Sequence, residues 1–138
     1  MIRTSIVAGA IAVALAAPGL AFAQGQMAPI AQTGGIKRIP LQRFDVPPGV
    51  REVVTAIAEI APNGEIARHI HPGPEVDYIL DGQVDLKVGD DPSKTYKAGD
   101  SIYIPQATPH GGRAGPSGAK VLATYIVEKG KPLATPAP

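Results

Sequence analysis

Three histidines and one glutamate are the residues of this chain whose types and spacing could bind a metal ion. Of the three histidines in the chain, His69 and His71 stand two apart in RHIHPGPEVDYILDG (68–82), and His110 follows a loop. Side chains two apart on a β-strand point to the same face, so His69 and His71 would present two imidazoles side by side. Glu75 opens the next strand-like stretch and could supply a third ligand, and His110 a fourth.

These ligand types select a class of metal but not one element. Imidazole and carboxylate without thiolate suit Mn, Fe, Ni, Cu or Zn, and the chain has no cysteine. One divalent transition metal is therefore the predicted cofactor. Four protein ligands leave one or two positions open in five- or six-coordination, which is typical of Lewis-acid or oxygen chemistry and not of a closed structural site.

A second carboxylate, Asp77, follows Glu75 on the same predicted strand. Alternation places Glu75, Asp77 and Ile79 on the inward face. A buried carboxylate is costly unless it is hydrogen-bonded. Two interpretations follow: Asp77 lines the pocket as a catalytic base or orients a ligand, or it lies near the mouth, solvated or paired with Arg68 or Arg113. For Tyr103 and Tyr125 we expect core packing, although either ring could point into the pocket.

Short strands separated by turns must position these side chains. Gly and Pro fall between the strand-like stretches, and Asp81-Gly82 is a hairpin signal. We find no convincing helix after residue 23. This pattern predicts an all-β sandwich or barrel, with strands over 51–61, 65–71, 75–80, 83–88, 94–98, 101–105 and 119–128.

The first 23 residues have the features of a secretory signal peptide. Arg3 precedes an apolar run that ends before Pro18, and Ala21-Phe22-Ala23 forms a small-x-small cleavage site. The run is shorter than the roughly 20 residues that a membrane span needs. We therefore predict cleavage after Ala23, export to the periplasm or the medium, and no membrane contact after cleavage.

The rest of the chain divides into a flexible lead-in (24–45), one β-barrel domain (46–128) and a Pro-rich, disordered tail (129–138). The lead-in is small, polar and Gly-rich, and the tail is KGKPLATPAP from Lys129. The formal net charge is only +1 and no basic stripe is present, so nucleic acid is not an expected partner.

GEIARHIHPGPEVDYILDG (64–82) and GDSIYIPQATPH (99–110) resemble the two signature motifs of the cupin superfamily. The resemblance covers roughly residues 50–128. The chain departs from the family pattern in three places. Four residues, not the usual five, separate Gly64 from His69, Ala107 stands where glycine is usual, and Ala114 where many members have asparagine. The matching positions are His69, His71, Glu75 and Gly82 in the first motif, and Gly99, Pro105 and His110 in the second.

The resemblance implies a single jelly-roll-like β-barrel with a metal near one mouth and a small-molecule substrate. Among small metal-dependent cupins, a dioxygenase-type oxidoreductase is the favoured expectation and a lyase the next. The alternative is a non-catalytic module that binds a small molecule or a metal. Such domains commonly pair, so we also expect a homodimer, for which the outward-facing Val76, Tyr78 and Leu80 would supply the surface.

Overall fold

A computed structural model describes residues 35–137 of the chain, and all of its regular elements are β-strands. The predicted all-β fold is confirmed. Within this range no helix is long and apolar enough to cross a membrane. The strands are β1 (Ile36–Val46), β2 (Arg51–Ile60), β3 (Glu65–Ile70), β4 (Glu75–Val88), β5 (Lys94–Lys97), β6 (Ser101–Ile104), β7 (His110–Glu128) and β8 (Thr135–Pro136).

The 19-residue strand β7 holds the barrel together. Its first residues pair with β3, its last ten pair with β2, and most of its length pairs with β4 on the other side. β1 extends the sheet beyond β2, while β5 and β6 pair with β4. All of these pairings are antiparallel. This arrangement is the expected jelly-roll-like barrel.

Strand β4 shows why the sequence produces an inside and an outside. Glu75, Asp77 and Ile79 are buried, whereas the alternate residues Val76 and Tyr78 are exposed. A strand turns successive side chains to opposite faces, so this alternation separates barrel interior from surface. The predicted inward face of β4 is therefore the observed one.

The interior contains a large aliphatic cluster and a smaller one around Tyr125. The smaller cluster consists of Val54, Ala123, Tyr125 and Val127, and Leu133 packs against it. Ile79, which is 0% exposed, belongs to the larger cluster. The other members of the larger cluster are Ile36, Ile60, Val84, Leu86, Ile102, Ile104, Ala114 and Val121.

The predicted hairpin at Asp81-Gly82 is wrong. β4 runs through this dipeptide, and its register against β7 shifts on both sides of Gly82. Gly82 has a φ of 71° and accepts a hydrogen bond from the Ala98 amide. The positive φ that glycine allows is used here for an irregularity within one long strand and not for a chain reversal.

The barrel also begins earlier than the predicted boundary at residue 46. β1 lies within the range 24–45 that the sequence indicated as a flexible lead-in, and Ile36 is buried in the core. Pro40 has no amide hydrogen, and the register against β2 shifts between Pro40 and Gln42. A polar edge strand interrupted by proline resembles a linker in composition, which explains the difference. Residues 24–34, like the predicted signal peptide 1–23, lie outside the described residues.

The tail also differs from the predicted disorder. β8 pairs with β3 through His69↔Pro136 and Ile70↔Thr135. The Ala137 amide donates a hydrogen bond to the Arg68 carbonyl. Proline suits this place because a two-residue strand at the sheet edge needs few amide donors.

Candidate metal centre

Three strands deliver the four predicted ligands to one place. β3 ends beside His69 and His71, β4 begins with Glu75, and β7 begins with His110. His69 and His110 are direct partners in the β3–β7 pairing. The ligand atoms of the three histidines all lie within 4.8 Å of one another. The sequence prediction of one cluster from three distant segments therefore agrees with the observed geometry.

Each imidazole is held by a backbone carbonyl at its Nδ1 atom. The distances are 2.7 Å from His69 to the Ala67 oxygen, 2.6 Å from His71 to the Leu133 oxygen, and 2.9 Å from His110 to the Thr108 oxygen. Because a carbonyl only accepts, each Nδ1 must carry the proton. A neutral imidazole then has its lone pair on Nε2, the tautomer that a metal requires.

The free lone pairs converge. His69 Nε2 lies 3.1 Å from His71 Nε2. The Oε2 atom of Glu75 lies 3.0 Å from His71 Nε2 and 3.2 Å from His110 Nε2. This oxygen is buried and has no hydrogen-bond donor. Acceptors crowded this closely repel one another unless a cation lies between them.

A metal ion fits this cluster. Two nitrogens that each bind one ion at about 2.1 Å, at right angles, lie about 3.0 Å apart, close to the observed separation. Burial, followed by the charge on His110, lowers the pKa of His69 to about 4, which favours the neutral imidazole that binds a metal. For Glu75, burial works to raise the pKa, yet contacts with His110 and His71 outweigh it and hold the pKa well below its usual range. This direction favours the ionised form of Glu75, which is the form that binds a metal.

Asp77 points into the same interior space. It is buried, and its Oδ1 atom has no hydrogen-bond partner. This places it in the pocket, as the first interpretation required, and not solvated at the mouth. Burial, followed by the negative charge of Glu75, raises the pKa of Asp77 well above its usual value. This direction favours the protonated form of the Asp77 carboxyl. The role of Asp77, as a base or as a group that orients a ligand, stays a prediction.

Tyr103 and Tyr125 occupy different environments. Tyr103 is 64% exposed and faces outward, so the expected core role is wrong for it. Tyr125 is buried in the smaller core cluster, but its ring also lies 4.8 Å from the His71 ring. Burial, followed by the charge of Glu75, raises the pKa of its hydroxyl, while Arg38 acts in the opposite direction. Tyr125 is thus a wall of the site as well as a core residue.

A cavity of about 680 Å³ opens above the histidine cluster. His69 and His71 lie on one side of it, β1 contributes a second wall, and the tail from Lys129 to Pro136 forms a third. A smaller space of about 50 Å³ lies deeper and reaches Glu75, Asp77 and Tyr125. Pockets of a few hundred cubic ångströms are the usual size for small-molecule sites.

Comparison with known proteins agrees with this architecture. The family model described as the cupin domain matches residues 56–131, which are 76 of the 138 residues. The chain belongs to the cupin family. In this cupin, Ala107 stands where the motif usually has glycine and adopts a φ of 56°. Its amide donates to the His71 carbonyl, which ties the loop before His110 to the other histidines.

Solved structures resemble this cupin in fold. An RmlC-like cupin from Shewanella frigidimarina is 24% identical, covers 70% of this chain and 80% of its own, and gives a TM-score of 0.55. The DMSP lyase DddQ from Ruegeria pomeroyi is 18% identical, with coverage of 62% and 43% and a TM-score of 0.57. An oxalate decarboxylase from B. subtilis is 18% identical, with coverage of 77% and 29% and a TM-score of 0.62. The matched regions are less than half of these last two chains, and no curated protein matches this one.

Proposed function

We propose that this cupin is a metal-dependent enzyme that acts on a small organic substrate. The observation that carries the proposal is the cluster of Nε2 and Oε2 acceptors, which needs a cation and borders a cavity of about 680 Å³. His69, His71, Glu75 and His110 would hold one divalent ion. That ion would act as a Lewis acid on a substrate oxygen or on oxygen itself. A closed structural site would not need the cavity.

The protein's own groups have defined tasks in this scheme. The three backbone carbonyls at Nδ1 orient the imidazoles, and Glu75 supplies the negative charge that balances the ion. Asp77 and Tyr125 line the deeper space beside Glu75, and in this scheme each would pass a proton to a reacting substrate. This proton supply favours a lyase, because bond cleavage without oxygen needs proton transfer. A dioxygenase-type oxidoreductase is supported by the family resemblance.

Oxygen dependence distinguishes the two reactions. The metal-loaded chain would be incubated with small hydroxy acids and dicarbonyl compounds, with and without air, while products are followed by NMR and oxygen by an electrode. Turnover that consumes oxygen identifies a dioxygenase, and turnover without oxygen identifies a lyase. Binding without turnover would favour the non-catalytic module. If no compound binds and none is turned over, the proposal is contradicted.

Asp77→Asn tests the proton donor within this scheme. Loss of a positioned general acid should lower turnover by roughly 10²–10⁴-fold. Asp81→Asn, on the exposed face of the same strand, is the matched control and should leave turnover unchanged. Equal turnover in the wild type and Asp77→Asn would remove Asp77 from the mechanism.

We also propose that two copies pair through the outer face of β4. Val76, Tyr78 and Leu80 are 40–45% exposed there, and Tyr103 pairs with Val76 from the neighbouring strand. This apolar surface would be covered in a homodimer. Light scattering should report a dimer that Tyr78→Glu disrupts, and a wild-type monomer would refute it.

Export is the remaining proposal. Its support is the signal-peptide pattern over residues 1–23. Mass spectrometry of the secreted or periplasmic protein should find Gln24 at the N-terminus. An intact N-terminus in the cytoplasmic fraction would contradict it.

A further inference from the structure

The cavity above the histidines has an unusual charge for this chain. Five cations and one acid line it, a formal charge of +4, whereas the whole chain carries +1, so the remaining residues sum to −3. A concave surface lined by one sign of charge attracts ligands of the opposite sign. The lining cations are Arg38, Arg43, Arg68, Lys129 and Lys131, and the acid is Glu52.

Three of these cations have acidic partners at the rim. Arg43 Nε lies 3.7 Å from Glu52, Lys129 Nζ lies 2.5 Å from Asp45, and Lys131 Nζ lies 2.5 Å from Glu128. Both lysine side chains are more than half exposed. Water screens such rim charges, so they steer a ligand more than they bind it.

Arg38 differs from the rim cations in its position. It is half-buried on β1, on the same face as the buried Ile36, and pairs with Ala58 of β2. It lines both the large cavity and the deeper space that reaches Glu75 and Asp77. The deeper space is also lined by His69 and His110, so Arg38 borders the candidate metal centre.

We propose that Arg38 binds the carboxylate of an anionic substrate, so that this cupin acts on small organic acids. This inference rests on the proposed function, since it names the substrate class of the same site. A guanidinium binds a carboxylate through two parallel hydrogen bonds, and a partly buried setting strengthens them. With its carboxylate at Arg38, the substrate would present its second oxygen function to the ion.

The size and polarity of the cavity agree with such a substrate. Apart from its charged members, the lining is largely apolar side chain or backbone. Ile36, Ile66 and Leu133 contribute side chains, and the tail contributes backbone. An acid with a short carbon skeleton and a second oxygen function would bind Arg38 through its carboxylate, pack its carbon atoms on the apolar wall and reach the metal ion with the second oxygen. A neutral compound of the same shape would not bring a carboxylate to Arg38.

Calorimetry with matched acid and amide pairs tests the inference. The metal-loaded full chain would be titrated with glycolate, lactate and pyruvate, and with glycolamide, lactamide and pyruvamide. For at least one pair we expect the acid to bind roughly 10–100-fold more tightly than the amide, as a charged hydrogen-bonded pair provides. Arg38→Gln should reduce that preference to roughly threefold or less, and Lys87→Gln, an exposed control outside the cavity, should leave it intact.

Two results would overturn the inference: no acid binds the wild type, or Arg38→Gln keeps the preference of the Lys87→Gln control. If Arg38→Gln does not fold by circular dichroism, Arg38→Lys is used. It keeps the charge but loses the two-pronged geometry, so it should show an intermediate preference. Metal content is measured in each variant. A wild type that contains no metal would refute the proposed function. If such a protein still prefers the acid over the amide, and Arg38→Gln removes the preference, the inference about Arg38 is supported independently of the metal.

Discussion

The barrel interior has two regions that contribute to the fold in opposite ways. The aliphatic region around Ile79 and Val84 buries apolar surface, which stabilises the folded state. The polar region around His71, Glu75 and Asp77 is equally buried but contains acceptors without donors. Such groups cost free energy unless something binds them. A folded chain that keeps this costly arrangement indicates that function, and not stability, determined those residues.

The largest predicted effect is on the aliphatic side. Ile79→Ala should lower the free energy of unfolding by about 2–5 kcal/mol, because it removes a side chain that is fully buried and leaves a cavity. Urea denaturation measures the change. Metal affinity of the folded fraction should stay the same.

The control for this prediction is an aliphatic residue outside the proposed dimer surface. Leu41 of β1 is 49% exposed, so Leu41→Ala should cost about 0.5 kcal/mol or less. A similar fall in the free energy of unfolding in both variants would contradict the distinction between interior and surface. A large fall in metal affinity for Ile79→Ala would show that the two interior regions are not separate.

The second effect concerns the polar side and the tail. Deleting residues 131–138 removes the Leu133 carbonyl that holds His71 Nδ1 at 2.6 Å. Partners that orient a ligand in this way typically affect metal affinity by about 10–100-fold, and we expect a loss of that size. Competition with a metal indicator dye measures it.

Leu133→Ala separates the carbonyl from the side chain. It removes the packing of Leu133 against the Tyr125 cluster but retains the carbonyl. Metal affinity should therefore be close to that of the wild type. If the truncated chain also binds metal normally, the tail does not orient His71, and its place beside the site would be incidental.

The smallest effect is in the loop before His110. Ala107 has a φ of 56°, which is strained for any residue with a Cβ atom. Ala107→Gly should raise the free energy of unfolding by about 0.5–1 kcal/mol, after allowing for the greater freedom of glycine in the unfolded chain. Thermal denaturation measures it. At Ala98 φ is not positive, so Ala98→Gly should lower the free energy of unfolding. A fall in the free energy of unfolding in both variants would contradict the strain argument.

The sequence predicted the parts of this molecule that depend on residue type and alternation. Period-two burial along β4 identified Glu75, Asp77 and Ile79 as inward-facing, and the two cupin-like motifs identified the histidines. Long-range pairing of β7 with β3 and β4 then brought together segments about 40 residues apart. The sequence pattern contains the ligands, and the fold supplies their geometry.

Other features had no readable signal. Arg38 lies on a polar edge strand with a proline, so its segment resembled a linker. The Leu133 carbonyl is a backbone group that any residue would provide, and only the tail's pairing with β3 places it beside His71. Whether Gly82 formed a hairpin turn or an irregularity within one strand depended on whether β4 continued beyond it. For Tyr125 the sequence predicted core packing and left a place in the pocket open, and the ring both packs in the core and contacts His71.

Metal content tests the central claim most directly. The purified chain and a His69→Ala/His110→Ala double variant would be analysed by inductively coupled plasma mass spectrometry. We expect about one equivalent of Mn, Fe, Ni, Cu or Zn in the wild type and none in the variant, because the remaining His71 and Glu75 are too few ligands to hold the ion. No stoichiometric metal in the wild type, or equal metal in both proteins, would contradict the account.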